Sequence, residues 1–155
     1  MKMDVYEKMK ELGITLPKVP AKGGVYTPAK HFGANLVYIS GCGPVLEETI
    51  EGKLGAEFTL EQGQQFARNC MLNVLAVLEA GIGDLRKVKN VAKILTMVAC
   101  KDDFYFQPAV ANGGSQLLAD LFGEEMGVPA RSAIGVNVLP GNIPVETEAL
   151  FEIEA

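Results

Sequence analysis

The sequence predicts an α+β two-layer sandwich, a β-sheet with helices packed on one face. Its elements read in the order helix, β, β, α, β, α, β, β, and two of the helical segments are long enough to cover a sheet. The last two runs alternate with a period of two, as strands with one buried face do.

Residues 3 to 12 have helical spacing, with Met3, Tyr6 or Val5, Met9 and Leu12 on one side, until Gly13 and the Pro17 to Pro20 segment stop the pattern. Tyr26 to Lys30 and Leu36 to Ser40 read as two strands joined by a turn at Gly33-Ala34-Asn35. The tight Gly41-Cys42-Gly43-Pro44 follows, whose glycines let backbone amides approach a ligand. Thr59-Leu60-Glu61-Gln62 has the form of a capping box. Phe66, Cys70, Val74, Leu75 and Leu78 continue it at helical intervals to Gly81. Gly83-Asp84-Leu85 is a turn, and Val88 to Ala99, rich in β-branched residues, is a long buried strand. A helix starting near Pro108 uses Val110, Leu117, Leu118, Leu121 and Phe122 and ends at Gly123.

The strand from Arg131 to Leu139 alternates Ile134, Val136 and Val138, read as the core side, with Ala133, Gly135 and Asn137. Arg131 falls with the small residues, off the core. The final strand puts Val145, Thr147, Ala149, Phe151 and Ile153 on one face, and Glu146, Glu148, Leu150, Glu152 and Glu154 on the other. A guanidinium beside residues too small to cover it suits a planar carboxylate, which it binds bidentately. Pattern alone favours the plainer reading of a solvated or interface salt bridge.

Composition narrows the function classes. A chain of 155 residues with 48% hydrophobic and 21% charged residues is read as one globular domain over 1–155, with 1–22 an N-terminal helix and linker. Cys42, Cys70 and Cys100 are widely spaced and set among apolar residues, which indicates reduced thiols in a cytoplasmic protein. His31 is the only histidine, so a conventional zinc site is not expected. The charged N-terminal residues do not read as a signal peptide, and no window is long enough for a membrane span. A formal charge of −5 opposes nucleic-acid binding. The cluster Arg86, Lys87, Lys89 and Lys93 is therefore read as a solvated turn and strand edge.

Ser40-Gly41, the helix from Thr59, Arg131-Ser132, Leu139-Pro140 and Val145-Glu146-Thr147-Glu148-Ala149 together resemble the YjgF/RidA family, also called L-PSP endoribonuclease-like, over roughly residues 24 to 155. The resemblance implies a chorismate-mutase-like sheet with helices on one face, assembled as a homotrimer around a central barrel with ligand clefts between subunits. It implies hydrolysis of enamine and imine intermediates of amino-acid metabolism to 2-keto acids and ammonia. Other members have been assigned ribonuclease activity or only ligand binding.

Carried over by position, Arg131 matches the arginine that holds the substrate carboxylate, and Glu146 the glutamate that positions the attacking water. Gly41 matches a backbone contributor to the pocket. Tyr26 matches a tyrosine from the neighbouring subunit if the Gly33-Ala34-Asn35 turn carries one inserted residue, and Asn112 is a candidate pocket asparagine. The chain departs from the RidA branch at Ala133, where that branch has cysteine, and at Cys42, where glutamine commonly follows Ser-Gly. Ala133 can still supply the backbone amide of that position.

Imine hydrolysis needs a carboxylate clamp, a water aimed at the C=N carbon and a proton shuttle, with no metal or organic cofactor. The partners implied are further copies of this chain and a small 2-imino or 2-keto carboxylic acid. The alternatives are a non-catalytic trimeric binder or sensor of small carboxylates and, less favoured on an acidic chain with one histidine, an endoribonuclease. Cys42 as a nucleophile is the remaining enzymatic alternative, though no histidine is placed beside it.

One geometric tension stands. In a simple hairpin about Asn142, Glu146 would face Val138, about 23 Å along the strand from Arg131.

Overall fold

The computed structural model describes residues 3–44 and 47–155. Helix α1 spans Val5–Glu11, followed by strands β1, Ala29–Phe32, and β2, Leu36–Cys42. Helix α2, Leu60–Ile82, leads into β3, Val88–Ala99; helix α3, Gln107–Gly127, precedes β4, Ala130–Val136, and β5, Val145–Ile153. The sheet order is β1-β2-β5-β3-β4. Of the strand pairs among the described residues, β3–β4 is the parallel one, and α3 makes the crossover that parallel pairing requires.

Both layers meet in an apolar core. From the sheet come Val37, Ile39, Ile94 and Phe151, and from the helices Leu75, Leu78, Leu117 and Leu118, all completely excluded from solvent. Each such side chain contributes about 1.5–3 kcal/mol. Beside it, Leu54, Phe66, Cys70, Val98 and Val145 form a second cluster under the loop that precedes α2.

Local sequence sets the element ends. Thr59 caps α2 by accepting from the Gln62 amide, while the Gln62 side chain accepts from the Thr59 amide. Asp4 and Glu7 make the same reciprocal cap on α1, which buries Val5 and Met9 and leaves Met3 and Leu12 exposed. The Tyr6 hydroxyl joins α1 to the body, donating to Glu79 and accepting from the Leu85 amide.

Three boundaries or faces differ from the sequence reading. The first strand begins at Ala29 rather than Tyr26, because Pro28 has no N–H to give a ladder; Tyr26 therefore lies in the preceding loop. Helix α3 continues past Gly123 to Gly127 through one non-helical residue. The third correction concerns β4, which ends at Val136 and presents its faces the other way round. Arg131 and Gly135 face α3, whereas Ile134 is 45% exposed and Val138, beyond the strand, 66%. The small residues allow close packing: a Cβ on Gly135 would lie 2.9 Å from the Gln107 side chain and 3.0 Å from the Cys100 sulfur.

The hairpin tension is resolved by topology. β3 lies between β4 and β5, pairing Ile94 with both Arg131 and Ala149, and Met97 with both Ile134 and Glu146. The basic cluster is divided: Arg86 pairs with Asp4 and Asp84 at the surface and Lys87 and Lys89 are exposed, whereas Lys93, expected at a solvated strand edge, is half-buried on the interior strand β3 and donates to the Ser132 hydroxyl across the open sheet face.

Helices α2 and α3 cross closely at Gly113, where a Cβ would collide with the Gln64 carbonyl, a backbone atom that cannot move aside. Gly113→Ala is expected to cost about 1–3 kcal/mol by forcing the helices apart. Chemical denaturation measures this; a loss under about 0.5 kcal/mol would contradict the crossing described.

Candidate functional site

Two groups of candidate residues gather separately. On the helix-covered side of β4, Arg131 donates from one terminal nitrogen, Nη1, to Asn112 Oδ1 at 2.8 Å and to Ser115 Oγ at 3.1 Å. Asn112 and Ser115 lie three residues apart on α3 and so share its face toward the strand. Both acceptors are neutral, and among the described residues no carboxylate pairs with the guanidinium. Its remaining donors face a cavity of about 870 Å³ that Gln64, Arg68, Asn112, Ser115 and Gln116 help to line. Ala133, two residues on, is half-buried opposite Thr96 of β3.

The second group lies at the other end of the sheet. The β2–β5 pairing shifts register between Ile39 and Cys42, so Ser40 and Gly41 bulge out of the ladder. Glu146 folds against Gly41 on the open sheet face. A Cβ on Gly41 would collide with its carboxylate, so any larger residue there would displace the Glu146 side chain. Beside the bulge, a smaller cavity of about 220 Å³ is lined by Tyr26, Ser40, Gly41 and Cys42 among others. The Tyr26 hydroxyl accepts from the Gly23 amide, and the Ser40 hydroxyl donates to the Thr27 carbonyl.

Arg131 and Glu146 thus project from opposite faces of one sheet. They are two strands and three residues apart, about 14 Å between Cα atoms at ordinary strand spacings. One chain does not bring them together.

Electrostatics follow from burial. Desolvation raises the pKa of Glu146 above the ordinary 4.5, with a smaller push from the Glu148 charge. Between ionisation favoured by Arg131 and protonation favoured by burial, burial prevails because the arginine is on the other face. Burial, aided by the Glu146 charge, also pushes the Cys42 thiol up to about 11. Burial thus disfavours the thiolate, which argues against Cys42 as a nucleophile. The sole histidine, His31, donates from Nε2 to the Gly81 carbonyl. Among the described residues, no three His, Cys, Asp or Glu side chains gather as a metal site, and no helix is long and apolar enough to cross a membrane.

Sequence reasoning missed Ser115 and Arg68. The spacing Asn112-x-x-Ser115 was a usable signal for a shared helix face, but the registration of α3 on β4 was not available from it.

The mixed five-stranded sheet with two long helices on one face, an arginine-centred cavity on one side and a glutamate on a glycine bulge on the other, defines an α+β class of two-layer fold. Residues 7–147 match the family described as "YjgF/chorismate_mutase-like, putative endoribonuclease", and the chain belongs to the YjgF/RidA family. It is 39% identical to protein TCP17 of Trypanosoma cruzi, over 96% of this chain and 94% of that one. It is 30% identical to a 2-iminobutanoate/2-iminopropanoate deaminase of Dermatophagoides farinae, over 91% and 95%. The crystal structure of Atu1372 from Agrobacterium tumefaciens superposes with a TM-score of 0.87 at 36% identity, covering 97% of this chain and 94% of that one.

Glu146 gives a stability test. A carboxyl whose pKa is higher folded than unfolded destabilises the fold once ionised, and that penalty fades as pH falls through the raised value. Glu146→Gln is therefore expected to raise the melting temperature at pH 7 relative to wild type, with the difference shrinking on acidification. A difference that instead grows toward acid pH would contradict the burial argument.

Proposed function

We propose that this protein is a single-domain homotrimeric deaminase that hydrolyses 2-imino acids to 2-keto acids and ammonia at sites shared between neighbouring subunits. The reading is carried by Arg131: its guanidinium is fixed through one nitrogen by neutral acceptors, leaving its other donors free for a carboxylate. The relative named 2-iminobutanoate/2-iminopropanoate deaminase supports the reaction class.

In this reading the sheets line a central barrel, which would cover Ile134 and Val138 on the open face. The clamp half of one subunit, Arg131 with Asn112 and the backbone at Ala133, meets the Glu146, Gly41 and Tyr26 half of the next. Glu146 takes a proton from water as the oxygen attacks the C=N carbon, giving a carbinolamine. Returning that proton to nitrogen neutralises the adduct, and transfer of its hydroxyl proton to nitrogen as the C–N bond breaks releases ammonia and leaves the 2-keto acid, so one water is consumed for each C=N bond broken. A raised pKa suits Glu146 to this exchange, since it narrows the gap to neutral pH. All of these roles fall to side chains and backbone, and no cofactor is part of the proposal. The protein would act in the cytoplasm.

A carboxylate sensor without turnover is the second reading. It is favoured by Ala133, which removes the thiol of the RidA branch while keeping the arginine beside it. The ribonuclease reading has less support, because the only histidine is tied to the end of α2 and the chain carries a charge of −5.

Loss of 2-iminobutanoate generated in solution separates these readings. Wild type is expected to accelerate it, with kcat/KM falling about 100-fold in Arg131→Ala and about 10²–10⁴-fold in Glu146→Gln. Because the ionised carboxylate is the base, the rate should decline on acidification at a pH above the ordinary glutamate value of 4.5. Wild-type rates equal to the uncatalysed control would remove the deaminase reading, and 2-oxobutanoate binding abolished by Arg131→Ala would then favour the sensor. A stable monomer in sedimentation would contradict the shared site.

A further inference from the structure

The Arg131 cavity holds a second arginine that the proposed chemistry does not use. Arg68 of α2 is half-buried and lines the same cavity. Two guanidiniums therefore share one space in a chain with 19 acidic and 14 basic residues. Among the described residues, no carboxylate lines the cavity, and Arg68 makes neither an ion pair nor a side-chain hydrogen bond. The neighbouring amides are already engaged: Gln64 donates to the Ala109 carbonyl, and Gln116 donates to Asp120 at 2.8 Å. Like charges concentrated in a partly desolvated site are costly without an anion between or beside them.

Size points the same way. The cleft of one chain, about 870 Å³, has room for a ligand longer than a four-carbon acid beside what the next subunit would contribute. Asn112, Ser115, Gln116 and Ala119 fall at helical spacing along the α3 surface that floors the cavity. Ser115 and Ala119 are short, which leaves room above α3 for a ligand reaching from Arg131 toward Arg68.

We propose that this cavity selects 2-imino and 2-keto acids bearing a second anionic group, and that Arg68 is the residue that binds that group. The proposal rests on the reading of Arg131 as the clamp for the 2-carboxylate. Arg68 then acts on specificity, leaving the C=N chemistry untouched.

Calorimetry on the intact protein compares 2-oxobutanoate with the dianionic 2-oxopentanedioate and 2-oxohexanedioate. Wild type is expected to bind at least one dianion about 10-fold or more tightly than 2-oxobutanoate, since a charge-assisted pair contributes about 1.5–3 kcal/mol. Arg68→Gln should abolish that preference while leaving 2-oxobutanoate affinity within about twofold, and Arg68→Lys should retain part of it. Equal wild-type affinity for mono- and dianions would overturn the proposal. So would an equal loss for both in Arg68→Gln, which would mean that the two arginines grip a single carboxylate or that Arg68 supports the fold. Failure of a different kind is recognisable: if Arg131→Ala leaves 2-oxobutanoate binding intact, the clamp reading fails first and this proposal with it.

Discussion

The placement of β3 between β4 and β5 is the constraint on which the rest of the arrangement depends. It pairs in parallel with one and antiparallel with the other, so the last two strands, neighbours in sequence, never touch. Arg131 is thereby directed under α3, and Glu146 onto the open face beside the Gly41 bulge. With Arg131 and Glu146 on opposite faces, a site that used both, as proposed, would have to be completed by another copy. Oligomerisation would then be a requirement of the chemistry, beyond its contribution to stability.

The two halves are prepared differently. Asn112 and Ser115 orient the guanidinium without neutralising it, which keeps its charge available to a ligand. Glu146 sits where burial raises its proton affinity and where no cation offsets that effect. The same burial that raises the proton affinity of the glutamate disfavours ionisation of the adjacent Cys42 thiol, which fits the glycine-flanked cysteine to a packing role.

Much of the fold was legible because it depends on local signals. The Thr59 capping box, the β-branched run from Val88 and the alternation from Val145 mark elements that the structure places at or within one residue of the expected ends. The β4 faces were not legible. A period of two establishes alternation, but which side meets α3 depends on how closely that helix packs, and it is the face of Arg131, Ala133 and Gly135, not that of Ile134, that turns toward it. The start of β1 depended on the N–H that Pro28 lacks. For the candidate site, the residue types came from the motif, whereas their separation came from a strand order that no local pattern encodes. Ser115 and Arg68 stayed hidden for the same reason, since each belongs to the cavity only through packing of α3 on β4 or on α2.

Subunit complementation tests the central claim most directly. Arg131→Ala and Glu146→Gln chains, each inactive alone, are unfolded, mixed in equal amounts and refolded together, and imine hydrolysis is compared with that of wild type. If each site takes its arginine from one subunit and its glutamate from the next, random mixing leaves about a quarter of the sites intact, and about a quarter of wild-type activity returns. Mixed assemblies that stay as inactive as the separate variants, while wild type carried through the same refolding regains its rate, would contradict the account.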